Sequence, residues 1–265
     1  MTQNAEKYET ILYEMAAPGI ARVTLSRPEA LNSFTGQMLA ELTDAWKRLA
    51  QDKEVRCVLV SGAGRAFCAG QDLRANPEAI QDLQTWLANT YRPMLSALEA
   101  IRKPTIAVVN GVAAGAGFSL TLACDFRVAS SKARFIPAFG KIALVPDSGM
   151  SYFLPRLVGF SRALEVVGAN RDLTAEEALA WGMVNRVSAP EQLEETALAF
   201  ATQLAQAAPV AYALTRQMFH RSNNMDLMTA LMMEEEYQGQ AGSTDDFKEG
   251  LAAFEQKRAP EFKGK

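Results

Sequence analysis

Residues Tyr8 to Ser26 alternate between apolar and polar side chains around Ala17-Pro18-Gly19, which predicts a β-hairpin. After the loop Arg27-Pro28-Glu29-Ala30-Leu31-Asn32, the residues Met38, Leu39, Leu42, Trp46 and Leu49 recur at helical spacing from Thr35 onward, the mark of an amphipathic helix. Val55 to Val60 is a short β-branched run ending at Ser61-Gly62-Ala63-Gly64, and it fits a buried strand. The pattern then recurs. A helical stretch over 84–101 precedes a strand from Thr105 to Val109, and a helix of small residues from Gly115 to Cys124 follows. Strands are expected at Phe126 to Ala129 and Arg134 to Ile136, with a helix starting near Gly149. Several of these strands are too apolar for a sheet with one wet face, so the order predicts an α/β layered fold. From about Thr196 the composition shifts to Ala, Leu, Gln, Met and Glu with helical periodicity, broken at Pro209 and Asn223-Asn224. Residues 1–195 are therefore expected to form the α/β core, and 196–265 a helical C-terminal region.

Composition narrows the function. The 265 residues suffice for one large core and a small appendage. A formal charge of −3 with both signs scattered argues against the concentrated basic face that nucleic acid or an anionic membrane requires, although a few convergent lysines and arginines still suffice for an anionic ligand. Cys57, Cys68 and Cys124 are widely spaced, and His220 is the single histidine, which argues against a metal site or a disulfide framework and for a reducing cytoplasm. Met1 to Thr10 has no signal-peptide pattern, and the apolar stretches break before a bilayer is spanned. The expectation is a mature cytosolic protein.

Two strand-to-helix junctions carry the candidate chemistry. One is Gly64-Arg65-Ala66-Phe67-Cys68-Ala69-Gly70-Gln71-Asp72-Leu73; the other is Asn110-Gly111-Val112-Ala113-Ala114-Gly115-Ala116-Gly117-Phe118-Ser119. Each places small residues where backbone can approach a ligand, ahead of a possible helix whose N-terminus adds positive potential. Two N–H groups converging on one oxygen make an oxyanion hole. Taken alone, either cluster reads more readily as tight packing of helix on sheet. The GxG of the second lacks the full dinucleotide fingerprint.

The Arg27–Asn32 loop, the Phe67–Leu73 junction and the Gly111–Gly117 junction resemble the crotonase (enoyl-CoA hydratase/isomerase) superfamily in order and spacing. The stretch Leu173-Thr174-Ala175-Glu176-Glu177-Ala178 to Trp181-Gly182-Met183-Val184 and the tail Glu249–Phe254 to Lys257-Arg258 fit the same superfamily. The resemblance implies a spiral of repeated ββα units and a substrate that is an acyl-coenzyme A thioester, with no separate cofactor and no metal. It implies oxyanion donors at the N–H groups of Gln71 and Ala116. It also implies a CoA path along Ala30, Leu31, Ala69, Gly70, Gln71, Asp72, Leu73 and Arg74. Phe254 and Lys257 match positions that cover the nucleotide, commonly from a neighbouring subunit. A homotrimer or a dimer of trimers, joined by the C-terminal region and its methionines (Met218, Met225, Met228, Met232 and Met233), is implied as well. Glu29 departs from the basic residue hydratases often carry there, leaving Arg74 and Lys257 as candidates for the phosphates.

By the same resemblance, the two glutamates of hydratases correspond to Ser119 and Phe139, neither of which is a carboxylate. One acid stands nearby, Asp147 in Leu144-Val145-Pro146-Asp147-Ser148-Gly149. Read from its neighbours alone, it is a helix N-cap; read by resemblance to superfamily isomerases, it is the catalytic base. An apolar wall of Phe118, Phe139, Ile142 and Met150 would raise its pKa. Within the superfamily the chain is most similar to the 1,2-epoxyphenylacetyl-CoA isomerases, which convert a ring epoxide to an oxepin and also shift double bonds. A hydratase of unusual residues, a linear Δ3–Δ2-enoyl-CoA isomerase and a non-catalytic CoA- or RNA-binding homologue remain as alternatives. His220 is expected at the surface or in packing, and Cys68 as a small core residue with no histidine beside it.

Overall fold

The computed structural model describes residues 8–265. The chain opens with a hairpin of β1 (Ile11–Ala17) and β2 (Ile20–Leu25), turning at Pro18 and Gly19, where Gly19 takes a φ of +74°. A 3-10 turn over Pro28–Ala30 leads into α1 (Gly36–Gln51), capped by Thr35, whose hydroxyl accepts from the Met38 N–H. The apolar stripe read from the sequence is the face α1 buries.

Three strand–strand–helix passages follow. The first comprises β3 (Cys57–Gly62), β4 (Ala66–Cys68) and the short helices α2 (Pro77–Gln81), α3 (Leu83–Asn89) and α4 (Tyr91–Glu99). The second is β5 (Thr105–Val109), β6 (Val112–Ala114) and α5 (Ala116–Ala123). The third is β7 (Phe126–Ser130), β8 (Arg134–Ile136), α6 (Met150–Val158) and α7 (Phe160–Gly168). Then come β9 (Leu173–Thr174), α8 (Ala175–Ala180) and β10 (Arg186–Ser188), and last the helices α9 (Leu193–Ala205), α10 (Pro209–Ser222), α11 (Leu227–Gly242) and α12 (Asp245–Gln256). Each passage sends its first strand to a six-stranded sheet of order β1-β2-β3-β5-β7-β10 and its second to a four-stranded sheet of order β4-β6-β8-β9. These repeated strand–strand–helix units, followed by a helical C-terminal region, are the arrangement expected from the resemblance.

The expected single helix over 84–101 is broken at Thr90. Pro93 lies in the first turn of α4, where its missing N–H costs nothing; inside a continuous helix its ring would collide with the carbonyl of Asn89. Of the four-stranded sheet only β8 was expected, at Arg134 to Ile136; β4, β6 and β9 went unread because two or three residues are too few for alternation to register.

The central strands are buried on both faces. Val58, Val60, Ala107 and Val109 join the core beneath α1, α4 and α5, while Cys57, Leu59, Ile106 and Val108 face Leu193, Ala197, Phe200 and Ala201 of α9. The boundary expected between 195 and 196 thus falls inside a helix that covers the sheet's second face. Beyond it, Arg216 of α10 bridges Glu99 and Asp125 and so ties the helical region to the core. Among the described residues no single helix is long and apolar enough to cross a membrane.

Candidate active site

The site is a consequence of parallel neighbours. β4 pairs with β6, Cys68 opposite Ala113, so both strands release their chains at the same edge. Ligand sites in such sheets lie at the carboxyl ends of strands. Gln71 emerges three residues after one strand and Ala116 two residues after the other.

The approach is close enough to require glycine. A Cβ on Gly70 would stand 2.9 Å from the Ala114 carbonyl oxygen and 3.5 Å from the Ala116 nitrogen, and its φ of +92° also favours glycine. A Cβ on Gly117 would meet the Cys68 carbonyl oxygen at 2.4 Å. These glycines let the residue 71 and residue 116 main chains lie side by side.

Both amides are left free. Phe34 bridges Gln71 in parallel fashion, its N–H donating to the Gly70 carbonyl at 2.8 Å and its carbonyl accepting from the Asp72 N–H at 2.9 Å. Because N–H groups alternate sides along extended chain, the Gln71 N–H faces away from Phe34. Ala116 is the first residue of α5, where no intrahelical acceptor exists. Among the described residues neither N–H has a hydrogen-bond acceptor. The expectation that both junctions open a helix holds only for the second. Gln71 stands in a loop, so the helix-dipole contribution comes from α5 alone.

The first CoA segment meets the second directly. The Ala69 N–H donates to the Leu31 carbonyl at 3.0 Å, and Leu31 and Asn32 both take positive φ in the turn that allows it. Asn32 is fully buried and its amide donates to the carbonyls of Ala63, Ala66 and Phe67. Arg27 donates to Asp72, whose other oxygen accepts from the Arg74 and Ala75 N–H groups. Burial pushes the Asp72 carboxyl up, but these hydrogen bonds hold it below the usual carboxylate range. The Arg74 side chain is exposed.

Asp147 lies against the first turn of α5. Its carbonyl accepts from the Ser119 hydroxyl at 3.0 Å and from the Met150 N–H at 3.0 Å. Its carboxylate does not cap α6, whose N-cap is Gly149; instead it accepts from the Ser148 hydroxyl at 2.8 Å. The N-cap alternative is therefore overturned. The side chain is partly buried, and burial raises its pKa above the usual carboxylate value, opposed by the Ser148 hydrogen bond. Across the site stands Tyr91. Burial, with the Cys68 thiol and the Asp147 carboxylate adding to it, pushes its phenol well up.

A family model described as enoyl-CoA hydratase/isomerase matches residues 16–265. The chain belongs to that family. It is 41% identical over 251 residues to the 1,2-epoxyphenylacetyl-CoA isomerase of Escherichia coli K12, covering 93% of this chain and 96% of that one. It is 39% identical to a probable enoyl-CoA hydratase of Rhodobacter capsulatus, covering 97% and 99%. The crystal structure of an enoyl-CoA hydratase from Bacillus anthracis superposes with a TM-score of 0.90 at 32% identity, covering 97% of this chain and 100% of that one. This member of the enoyl-CoA hydratase/isomerase family is accordingly an enzyme of CoA-thioester chemistry.

The other expected residues divide. Phe118, tilted by 49° against Phe135 with ring centroids 5.3 Å apart, and Met150 belong to the core, and Phe139 is buried with them. Ile142 stands 55% exposed and so contributes no wall, because the 3-10 turn that carries it projects from the surface. Phe254 is 84% exposed on α12. The tail beyond that helix is fixed by Arg56, which donates to the Phe262 carbonyl at the start of β3, the end of the sheet remote from Gln71 and Ala116. Within one chain, then, Phe254 and Lys257 are not brought to the two amides. Cys68 is buried, its thiol pushed up to about 12 by burial, and it donates to the Asn32 carbonyl, a packing role. His220 is half-buried, 3.5 Å from Glu99. A cavity of about 550 Å3 lies between α5, α6 and α10, and neither Gln71, Ala116 nor Asp147 lines it.

Sequence reading expected the segment from Ala75 to Tyr91 to shape the acyl pocket but gave Trp86 and Tyr91 no role of their own, and it gave none to Asn32 or Ser148. Asn32 lies in the Arg27–Asn32 loop, whose order was legible; the others act through contacts that no spacing announces.

Proposed function

We propose that the chain is an acyl-CoA isomerase that works through a thioester enolate, with 1,2-epoxyphenylacetyl-CoA as its substrate and oxepin-CoA as product. The observation that carries this reading is two free main-chain amides, with Asp147 anchored to the first turn of the helix that Ala116 opens. The Gln71 and Ala116 N–H groups hold the thioester oxygen, which lowers the cost of removing a proton from the adjacent carbon. Asp147 takes that proton. Since substrate and product are isomers, a proton returns to the substrate as the ring expands, and one carboxylate in a partly desolvated setting serves for both transfers. The likeness to the Escherichia coli isomerase supports the choice of substrate.

Hydration is disfavoured by the residues at the two positions matching the hydratase glutamates. The Ser119 hydroxyl is committed to the Asp147 carbonyl, and Phe139 is packed in the core, so neither activates water. A shift of a double bond in a linear enoyl-CoA uses the same carboxylate and amides and is the second reading. The CoA moiety follows Ala30, Leu31 and Ala69 to Arg74, with Arg74 and a neighbouring subunit's copies of Phe254 and Lys257 at its nucleotide end.

The test is exchange of the α-protons of phenylacetyl-CoA in D2O, followed by NMR, alongside hydration of crotonyl-CoA. Exchange by the wild type, reduced by Asp147→Asn about 10²–10⁴-fold, is expected. Rapid hydration of crotonyl-CoA untouched by Asp147→Asn would overturn the mechanism. No exchange with any thioester would favour a binding module.

A further inference from the structure

Gln71 is held by its side chain as well as by its backbone. Its Oε1 accepts from the Tyr91 hydroxyl at 2.6 Å and from the Trp86 indole N–H at 3.2 Å, which occupies both lone pairs. Its Nε2 faces the carbonyls of Phe34 and Asp72 at 3.3 and 3.4 Å. The indole can only donate, so the carboxamide cannot flip without setting its NH2 against a donor. Trp86 belongs to α3, where its ring covers Gly36, and Tyr91 opens α4, where its ring meets Phe34 edge-on at 5.8 Å. Phe34 is also the backbone partner of Gln71.

This clamp has a physical purpose. The peptide joining residues 70 and 71 carries one of the two free amides, and its plane is set partly by Gly70, the residue type with the widest backbone freedom. The carbonyl of that peptide accepts from the Phe34 N–H at 2.8 Å, and the grip on the Gln71 side chain adds a second hold, on the residue 71 side of the plane. The grip comes from Trp86 and Tyr91, in the segment that the sequence reading assigned to the acyl pocket. Burial pushes the Tyr91 phenol well up, and the Asp147 carboxylate adds to it as the smallest of three causes.

We propose that the Gln71 carboxamide is a positioning group that couples the Trp86–Tyr91 wall to the aim of the Gln71 N–H, so that wall substitutions and acyl-group preference are expressed in kcat rather than in KM. The inference rests on the oxyanion reading above. A donor displaced from its target by about 1 Å forfeits as much as 10²-fold in rate, which sets the scale a loosened clamp can reach.

The experiment compares wild type, Tyr91→Phe, Trp86→Phe, Gln71→Leu and the double variant Gln71→Leu/Tyr91→Phe in α-proton exchange of phenylacetyl-CoA, with Asp147→Asn as reference. Gln71→Leu keeps the main-chain N–H, and Tyr91→Phe deletes a single atom, so the fold is not at stake in the latter. Each single variant is expected to lose about tenfold in kcat with KM within about threefold, and the double variant to be no worse than Gln71→Leu alone, since residues acting through one contact are not additive. A rise in KM with kcat intact, or losses that multiply in the double variant, overturns the coupling. If the wild type exchanges and Asp147→Asn does not, while the clamp variants match wild type, the coupling is wrong and the enolate reading stands. If the wild type does not exchange at all, both are wrong.

Discussion

Asp147 draws its basicity from where its backbone is anchored. The Ser119 hydroxyl and the Met150 N–H hold its carbonyl, leaving the carboxyl partly buried with one hydrogen bond, from Ser148. Burial raises its pKa, and the base form is the ionised one, so the exchange rate should fall on the acid side through an apparent pKa above the ordinary carboxylate value of about 3.9. A pH–rate profile of kcat/KM checks this; an acid limb at or below the ordinary value counts against Asp147 as base. Stability runs the opposite way to that of a salt-bridged acid. A raised folded pKa means the native state binds the proton more tightly than the unfolded chain, so stability is lost as pH rises from the unfolded value through the folded one. Asp147→Asn cannot ionise and escapes that loss. Differential scanning calorimetry should find the variant melting above wild type at pH 7.5, with the gap closing toward pH 3.5. A gap that widens in acid would contradict the burial argument.

At the scale of elements, the site depends on β4 and α5 lying in contact. Gly117 permits it, since any Cβ there would run into the Cys68 carbonyl. The first residue of α5 offers a clean test. Proline is tolerated at the opening position of a helix, where its absent N–H is not missed by the helix itself. Ala116→Pro should therefore leave α5 folded while deleting one of the two amides proposed to hold the thioester oxygen. The expected loss in exchange is about 10²–10³-fold, with a near-native melting temperature. Exchange within tenfold of wild type in a folded Ala116→Pro protein would remove Ala116 from the mechanism. The same scale explains the break at Thr90: two short helices can each present an aromatic donor, Trp86 and Tyr91, to one acceptor on Gln71.

For the whole molecule, the exposed apolar residues of the last two helices stand out. Leu227, Met228 and Met232 on α11 and Phe254 on α12 are between 67% and 84% exposed. Apolar side chains this exposed are the ones that the expected neighbouring subunit would cover. Multi-angle light scattering at micromolar concentration should give three or six times the 28.9 kDa of one chain. Charge introduced by Met228→Lys together with Met232→Lys should shift the mass toward the monomer and raise KM for the CoA substrate. A monomeric wild type would refute both the assembly and the role of a neighbouring subunit's Phe254 and Lys257.

The order of strands and helices, the two-faced burial of β3 and β5, and the position of both glycine junctions were legible in the sequence, because apolar periodicity and backbone restrictions are local properties. So was the absence of a carboxylate at 119 and 139, since side-chain identity needs no coordinates. The strands β4, β6 and β9 of the second sheet, the solvent exposure of Ile142 and the Gln71–Trp86–Tyr91 contacts were not. Each depends on which segments the spiral brings together across long stretches of chain. The main chains at 71 and 116 lie side by side because parallel strands β4 and β6 end together, and that alignment is a property of their pairing, which neither strand carries in its own residues.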